Sequence, residues 1–120
     1  MNQLTVLANR SAFCETCPSL DSVTALLQRF GFALVFQMNA RVSSSAGVPD
    51  LPAQYHYRAG NGTEVIYLAG RDANVDGERL PAHASRFWLS PGKDERAYRN
   101  VASALATTFR FFWRYEREAA

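Results

Sequence analysis

Hydrophobic spacing changes period several times along the chain, and each change marks a predicted element. From Pro18 to Phe30, Leu20, Val23, Leu27 and Phe30 recur at i, i+3, i+7 and i+10, which is one face of a helix. Pro18 suits the first helical position and Gly31 the residue just past the end, with Asp21 a rival N-cap. The period then drops to two. In Phe32 to Val42, Phe32, Leu34, Phe36, Met38, Ala40 and Val42 share one face, so a strand with one fully apolar side is expected. Ser43 to Ala53 reads as a loop.

The clearest local signal is QYHYRA-GNG-TEVIYLA. Two alternating runs flank Gly60-Asn61-Gly62, which predicts a β-hairpin. A three-residue loop sets Ala59 opposite Thr63, Arg58 opposite Glu64, Tyr57 opposite Val65 and Tyr55 opposite Tyr67. Opposite charges then pair, and apolar groups pair. Leu4 to Ala8 reads as a first short strand, Arg71 to Ala84 as a polar loop and Ser85 to Leu89 as a last short strand. Asp94 to about Arg117 reads as a long helix. The predicted order is β-α-β, a hairpin, a short strand and a final helix. That is an α+β or mixed α/β single domain spanning 1–120, with helices packed on a sheet.

Composition changes this picture little. A chain of 120 residues, 48% hydrophobic and 20% charged, is ordinary for a globular domain. No apolar run approaches the roughly 18 residues of a membrane span. The opening MNQLTVLANR lacks a basic lead and a long apolar stretch, so the expectation is a cytoplasmic protein with reduced thiols. The net charge of +2 implies no partner by its size.

Its placement says more. The cations are twelve arginines and one lysine. Stepping about 100° per residue along the expected last helix puts Arg96, Arg99, Arg110, Arg114 and Arg117 in one sector roughly 60° wide. Tyr98, Val101, Leu105, Thr108, Phe109 and Phe112 take the opposite side, and Phe111 and Trp113 flank the stripe. Such a stripe fits an anionic partner, whether an acidic protein, the phosphate backbone of a nucleic acid or a membrane surface, and the rival reading is a solvated face.

Candidate chemistry centres on RSAFCETCPSL, which holds both cysteines, Cys14 and Cys17. If Pro18 opens the helix, Cys17 is its N-cap. The free N–H groups and positive dipole end there favour a thiolate. A second thiol three residues away completes the minimum for thiol–disulfide exchange. Half a zinc site, with His56 and His83 as distant further ligands, and two inert buried thiols are the alternatives. A homodimer joined across two such pairs is compatible with the spacing. Asp72 to Gly77 matches the opening D-x-N-x-D-G of a calcium loop, but His83 stands where a bidentate glutamate belongs and Pro81 interrupts the exit, so a surface loop is the rival reading.

The segment LTVLANRSAFCETCPSL resembles the start of a thioredoxin-like domain, in which a strand leads to an aromatic-Cys-x-x-Cys opening the first helix. The resemblance implies a β-α-β-β-β-α sheet with helices mainly on one face. It implies that Cys14 attacks, Cys17 resolves and Pro52 shapes the substrate groove. No cofactor is required beyond an external thiol donor, no metal is assigned, and the partner is a protein client. Glu15 and Thr16 between the cysteines depart from the family's usual Gly-Pro, and Ala8 stands where the family has a buried acid. His56, Arg58, Gln37 and Asn39 read as a sheet face open to water. The rival function is a non-enzymatic binding module that uses the arginine stripe, with the cysteines incidental.

Overall fold

The computed structural model describes residues 9–40, 52–70, 73–75, 78–81 and 83–115. The expected Leu4–Ala8 strand, most of the 43–53 loop, Arg117, and Asp72, Asp76 and Gly77 of the calcium-like loop lie outside them. The protein is an α+β domain. Its elements are β1 (Arg10–Cys14), α1 (Leu20–Arg29), β2 (Phe32–Met38), β3 (Ala53–Ala59), β4 (Glu64–Ala69), β5 (Ala73–Val75), β6 (Glu78–Leu80), β7 (Ser85–Ser90), α2 (Glu95–Phe109) and β8 (Arg114–Tyr115).

Six strands form one sheet in the order β2-β3-β4-β7-β1-β8, and every neighbouring pair is antiparallel. The expected polar loop after β4 contains a two-stranded β5–β6 ladder. Residues 10–14, assigned no element from the sequence, form β1, and all five pair with β7. The resemblance places the Leu4–Ala8 strand beside the Phe32 strand, and that strand lies outside the described residues. β1, which ends at Cys14, is separated from β2 by β3, β4 and β7, so α1 carries the chain across the sheet.

The hairpin has the register that its alternation dictates. Arg58 faces Glu64, Tyr57 faces Val65 and Tyr55 faces Tyr67. The turn closes with Ala59 N–H donating to Thr63 O at 2.9 Å, and Gly62 takes φ 88°, where glycine avoids the Cβ clash. Arg58 and Glu64 form an exposed ion pair at 2.6 Å.

Helix α1 is shorter than its hydrophobic rhythm suggests. Ser19, and neither Cys17 nor Asp21, is the N-cap: its hydroxyl accepts from Ser22 N–H at 3.2 Å, as serine oxygens commonly do at this position. Gly31 follows the helix at φ 83°, as expected of the residue past the end. Val23, Leu26 and Leu27 are buried, while Phe30 stays exposed.

One core lies between the sheet and both helices. Ala12 and Cys14 of β1, Tyr57, Val65, Tyr67, Phe87 and Leu89 of the inner strands, and Tyr98, Val101, Ala102 and Leu105 of α2 belong to it. These strand residues share one parity, so both helices cover the same face. The opposite face carries His56, Arg58, Arg86 and Trp88, none of them fully buried, but Leu68 of this face is buried in a second cluster with Leu80 and Ala84, against which Ile66 packs. The expected water-facing side is therefore open only in part, around His56 and Arg58, and its membership changes in β2.

The change in β2 is a β-bulge. Leu34 pairs with Tyr57 but Phe36 pairs with His56, so Val35 is the extra residue. A one-residue slip reverses which face each side chain takes. Phe36 and Met38 consequently turn to the open face beside His56 and Gln54, and Gln37 moves to the side of Tyr55. The single apolar face expected for this strand does not persist past Leu34.

The last helix also differs. It ends at Phe109, because Arg110 adopts left-handed backbone (φ 59°, ψ 64°) and both it and Phe111 donate N–H to the Ala106 carbonyl. Thr107 and Thr108 are β-branched and weaken the helix just before this point. The chain then folds back. Phe111 stacks on Phe87 with centroids 5.1 Å apart, and Trp113 Nε1 donates to Ala102 O at 2.7 Å. Phe111 is 6% exposed and Phe112 is 92% exposed, the reverse of the order a continued helix gives.

Candidate functional site: a dithiol at the end of the sheet

Cys14 is the last residue of β1, and its alternate position in the strand turns it into the core. It is 1% exposed. Its Sγ donates to the main-chain carbonyl of Phe109 at 3.4 Å and lies 3.4 Å from the Thr16 hydroxyl. Residues 15 and 16 bend the chain, and Cys17 emerges exposed in the short extended segment before α1. Both cysteines are free thiols.

Tyr67 ties this segment to the sheet. Its hydroxyl donates to the Pro18 carbonyl and lies 3.3 Å from Cys17 Sγ. Ser85, on the neighbouring strand, donates to the Thr16 carbonyl at 2.7 Å. Two main-chain carbonyls of the 14–18 segment therefore have side-chain donors, which satisfies backbone groups that no ladder reaches. Burial pushes the Tyr67 hydroxyl well above its ordinary ionisation range. Its hydrogen bond with Cys17 and the nearness of both thiols push the same way, and Ser85 opposes them. Tyr67 consequently remains a protonated donor at neutral pH.

Beside this cluster runs a cavity of about 450 Å³ lined by Glu15, Thr16, Pro18, Ser22, Thr108, Phe109 and Arg110. It lies between the segment before α1 and the last turn of α2. The accessible sulfur and this opening are on the same segment of chain.

The helix-terminus argument applies differently to the two thiols. Cys17 stands two residues before the N-cap Ser19, so it is close to the positive end of α1 without capping it. Cys14 meets a carbonyl at the other kind of terminus, the C-terminal end of α2. Accessibility also runs against the order taken from the resemblance, since Cys17 faces solvent and Cys14 does not.

The remaining candidates are not brought to this site. Pro52 is buried immediately before β3. Ala53, Ala69, Ser85 and Cys14 form one row of paired residues across β3, β4, β7 and β1. Three strand spacings, about 14 Å, thus separate the Pro52 end of β3 from Cys14. His56 lies on the opposite sheet face, its ring edge-on to Phe36 at 5.2 Å and its Nε2 3.2 Å from Gln54 Oε1. His83 is exposed. Among the described residues no group of three or more His, Cys, Asp or Glu is placed to hold a metal ion.

The arginines do not form one stripe. Arg96 and Arg99 lie on α2, with Arg99 paired to Glu95 at 2.7 Å. Arg110 is the left-handed cap, and Arg114 is in β8 at the sheet edge. The stripe required one helix through Arg117, and that helix stops at Phe109. No helix among the described residues is long and apolar enough to cross a membrane.

Tyr67, Ser85 and the Phe109 carbonyl were not legible as site components. The pairs Cys17–Tyr67 and Cys14–Phe109 are 50 and 95 positions apart in sequence. Only the sheet order brings them together.

No family model matches the chain, and neither a curated protein nor a solved structure matches it. Its function is therefore argued from the site itself.

Proposed function

We propose that this protein carries out thiol–disulfide exchange, with Cys17 as the attacking thiol and Cys14 as the buried resolving thiol. The observation that carries the reading is the division of labour by burial: one exposed sulfur and one enclosed sulfur three residues apart, the exposed one 3.3 Å from the Tyr67 hydroxyl. The resemblance stated above suggests the same chemistry. The proposal takes its roles from the local geometry and does not depend on a thioredoxin-like strand order or on Pro52.

The reaction balances without a cofactor. Cys17, as thiolate, attacks one sulfur of a client disulfide, and the client's other sulfur leaves as a thiolate that takes up a proton. Cys14 then releases its proton, leaves the Phe109 carbonyl and attacks Cys17 Sγ. The mixed disulfide breaks, the second client thiol departs, and a Cys14–Cys17 disulfide remains. Two electrons have passed to the client, and an external dithiol restores the protein. The groove lined by Glu15, Thr16, Ser22 and Arg110, residues on both sides of Cys17 in the chain among them, offers polar contacts for client backbone.

The direct test is reduction of a disulfide-bonded protein such as insulin by dithiothreitol, followed by turbidity. The unaltered protein accelerates the reaction, Cys17→Ser abolishes the acceleration, and Cys14→Ser accumulates a mixed disulfide through Cys17. No acceleration by the unaltered protein overturns the proposal.

A further inference from the structure

The sheet has two edges, and they are unequal. β8 is two residues long and carries Arg114, which is how natural sheets blunt an edge. β2 is seven residues long, FALVFQM, and contains no charged residue and no proline. Seven large apolar side chains stand exposed among the described residues, and four of them, Leu34, Val35, Phe36 and Met38, are on β2. The bulge turns them toward both sides of the sheet. The outward N–H and C=O groups of β2 have no strand beside them among the described elements.

The occupant follows from what such an edge accepts. It pairs with another strand through main-chain hydrogen bonds, and an equally long free edge satisfies the whole row of them. β8 offers two described residues and a charge, a poor match for β2. Among the described strands the matching edge is β2 itself. Two copies related by a two-fold axis bring identical surfaces together, which only a patch without net charge tolerates. β2 meets that condition. The nearest cation on the adjacent strand, Arg58, is already paired to Glu64.

We infer that the protein forms a homodimer by antiparallel pairing of β2 with β2 of a second copy, making one continuous sheet. Val35 is the central residue of the strand, so a pair centred there sets the two Val35 residues opposite each other. This dimer does not use the thiols, and its failure leaves the exchange proposal standing.

The test is sedimentation equilibrium from about 1 to 200 μM, a range that brackets micromolar dissociation constants. Excess reductant is present so that a Cys17–Cys17 crosslink is not counted. The expected mass is twice the 13.4 kDa of the chain. Val35→Lys, which places two ammonium groups across the axis, weakens association at least about 100-fold. Phe112→Lys, at an exposed apolar residue away from β2, leaves the dimer intact. On the unaltered chain, amide exchange slows with rising concentration in residues 32–38, a readout that stands even if V35K fails to fold. A monomer throughout the range, an unchanged dimer in folded V35K, dissociation by F112K, or concentration-dependent protection confined to other segments overturns the inference.

Discussion

The Cys14 thiol donates to the Phe109 carbonyl at 3.4 Å, joining the end of β1 to the end of α2 across 95 positions of sequence. The contact gives the buried S–H an acceptor and leaves the sulfur under the last turn of the helix. Cys17, three residues on, has no such cover.

Alkylation should therefore separate the two thiols. With iodoacetamide on the reduced protein, Cys17 reacts as an accessible thiol, and Cys14 reacts at least about 100-fold more slowly because it must wait for local opening. Peptide mapping over time measures both. Equal rates would contradict the assigned burial.

Tyr67 links the thiol segment to the sheet, so Tyr67→Phe should cost about 1–2 kcal/mol by leaving the Pro18 carbonyl without its donor. Denaturant unfolding of Y67F against the unaltered protein reads this directly. A change within error would mean that the hydroxyl contributes nothing net.

The same residue predicts an alkaline effect. Tyr57 and Tyr67 are both held above the ordinary tyrosine value of 10.0, chiefly by burial. A raised folded-state value means the fold keeps its full stability only below the unfolded value of 10.0. The stability is lost as pH rises above 10, where the unfolded chain releases protons that the folded chain retains. Chemical unfolding at pH 9, 10 and 11 should show a falling midpoint, and Y67F should flatten part of the fall. An unchanged midpoint to pH 11 would count against it.

Much of the central hairpin was readable in advance because its information is local. Gly60-Asn61-Gly62 fixed the turn, and alternation on both sides then fixed Arg58 against Glu64 and Tyr55 against Tyr67. The start of α1 was nearly readable, although the serine two residues after Cys17 made a better cap than the thiol. The end of α2 was not. Its termination depends on Phe111 reaching Phe87, a contact made only when β7 lies beneath it. The bulge at Val35 is likewise a property of pairing with β3, invisible in a run whose alternation continues unbroken. The cysteines were found as a pair, but the groups that surround them come from β4, β7 and α2, and no spacing rule connects those.

The fold-back after α2 gives a paired prediction. Phe111→Ala should destabilise by about 3–5 kcal/mol, as expected for deleting a buried ring stacked on Phe87. Phe112→Ala should change stability by no more than about 0.5 kcal/mol, since the side chain is exposed. A long helix continued through Phe112 gives the opposite ranking, so thermal or urea unfolding of the two variants separates the arrangements.

The most direct measurement is equilibration of the protein in dithiothreitol redox buffers, from fully reduced to fully oxidised, with acid trapping, alkylation and intact-mass analysis. The account predicts a single two-electron transition to an intramolecular Cys14–Cys17 disulfide, seen as a loss of two hydrogens and of both alkylation sites together. A chain that keeps both thiols in the most oxidising buffer, or that yields only adducts at Cys17 while Cys14 stays reduced, would contradict it.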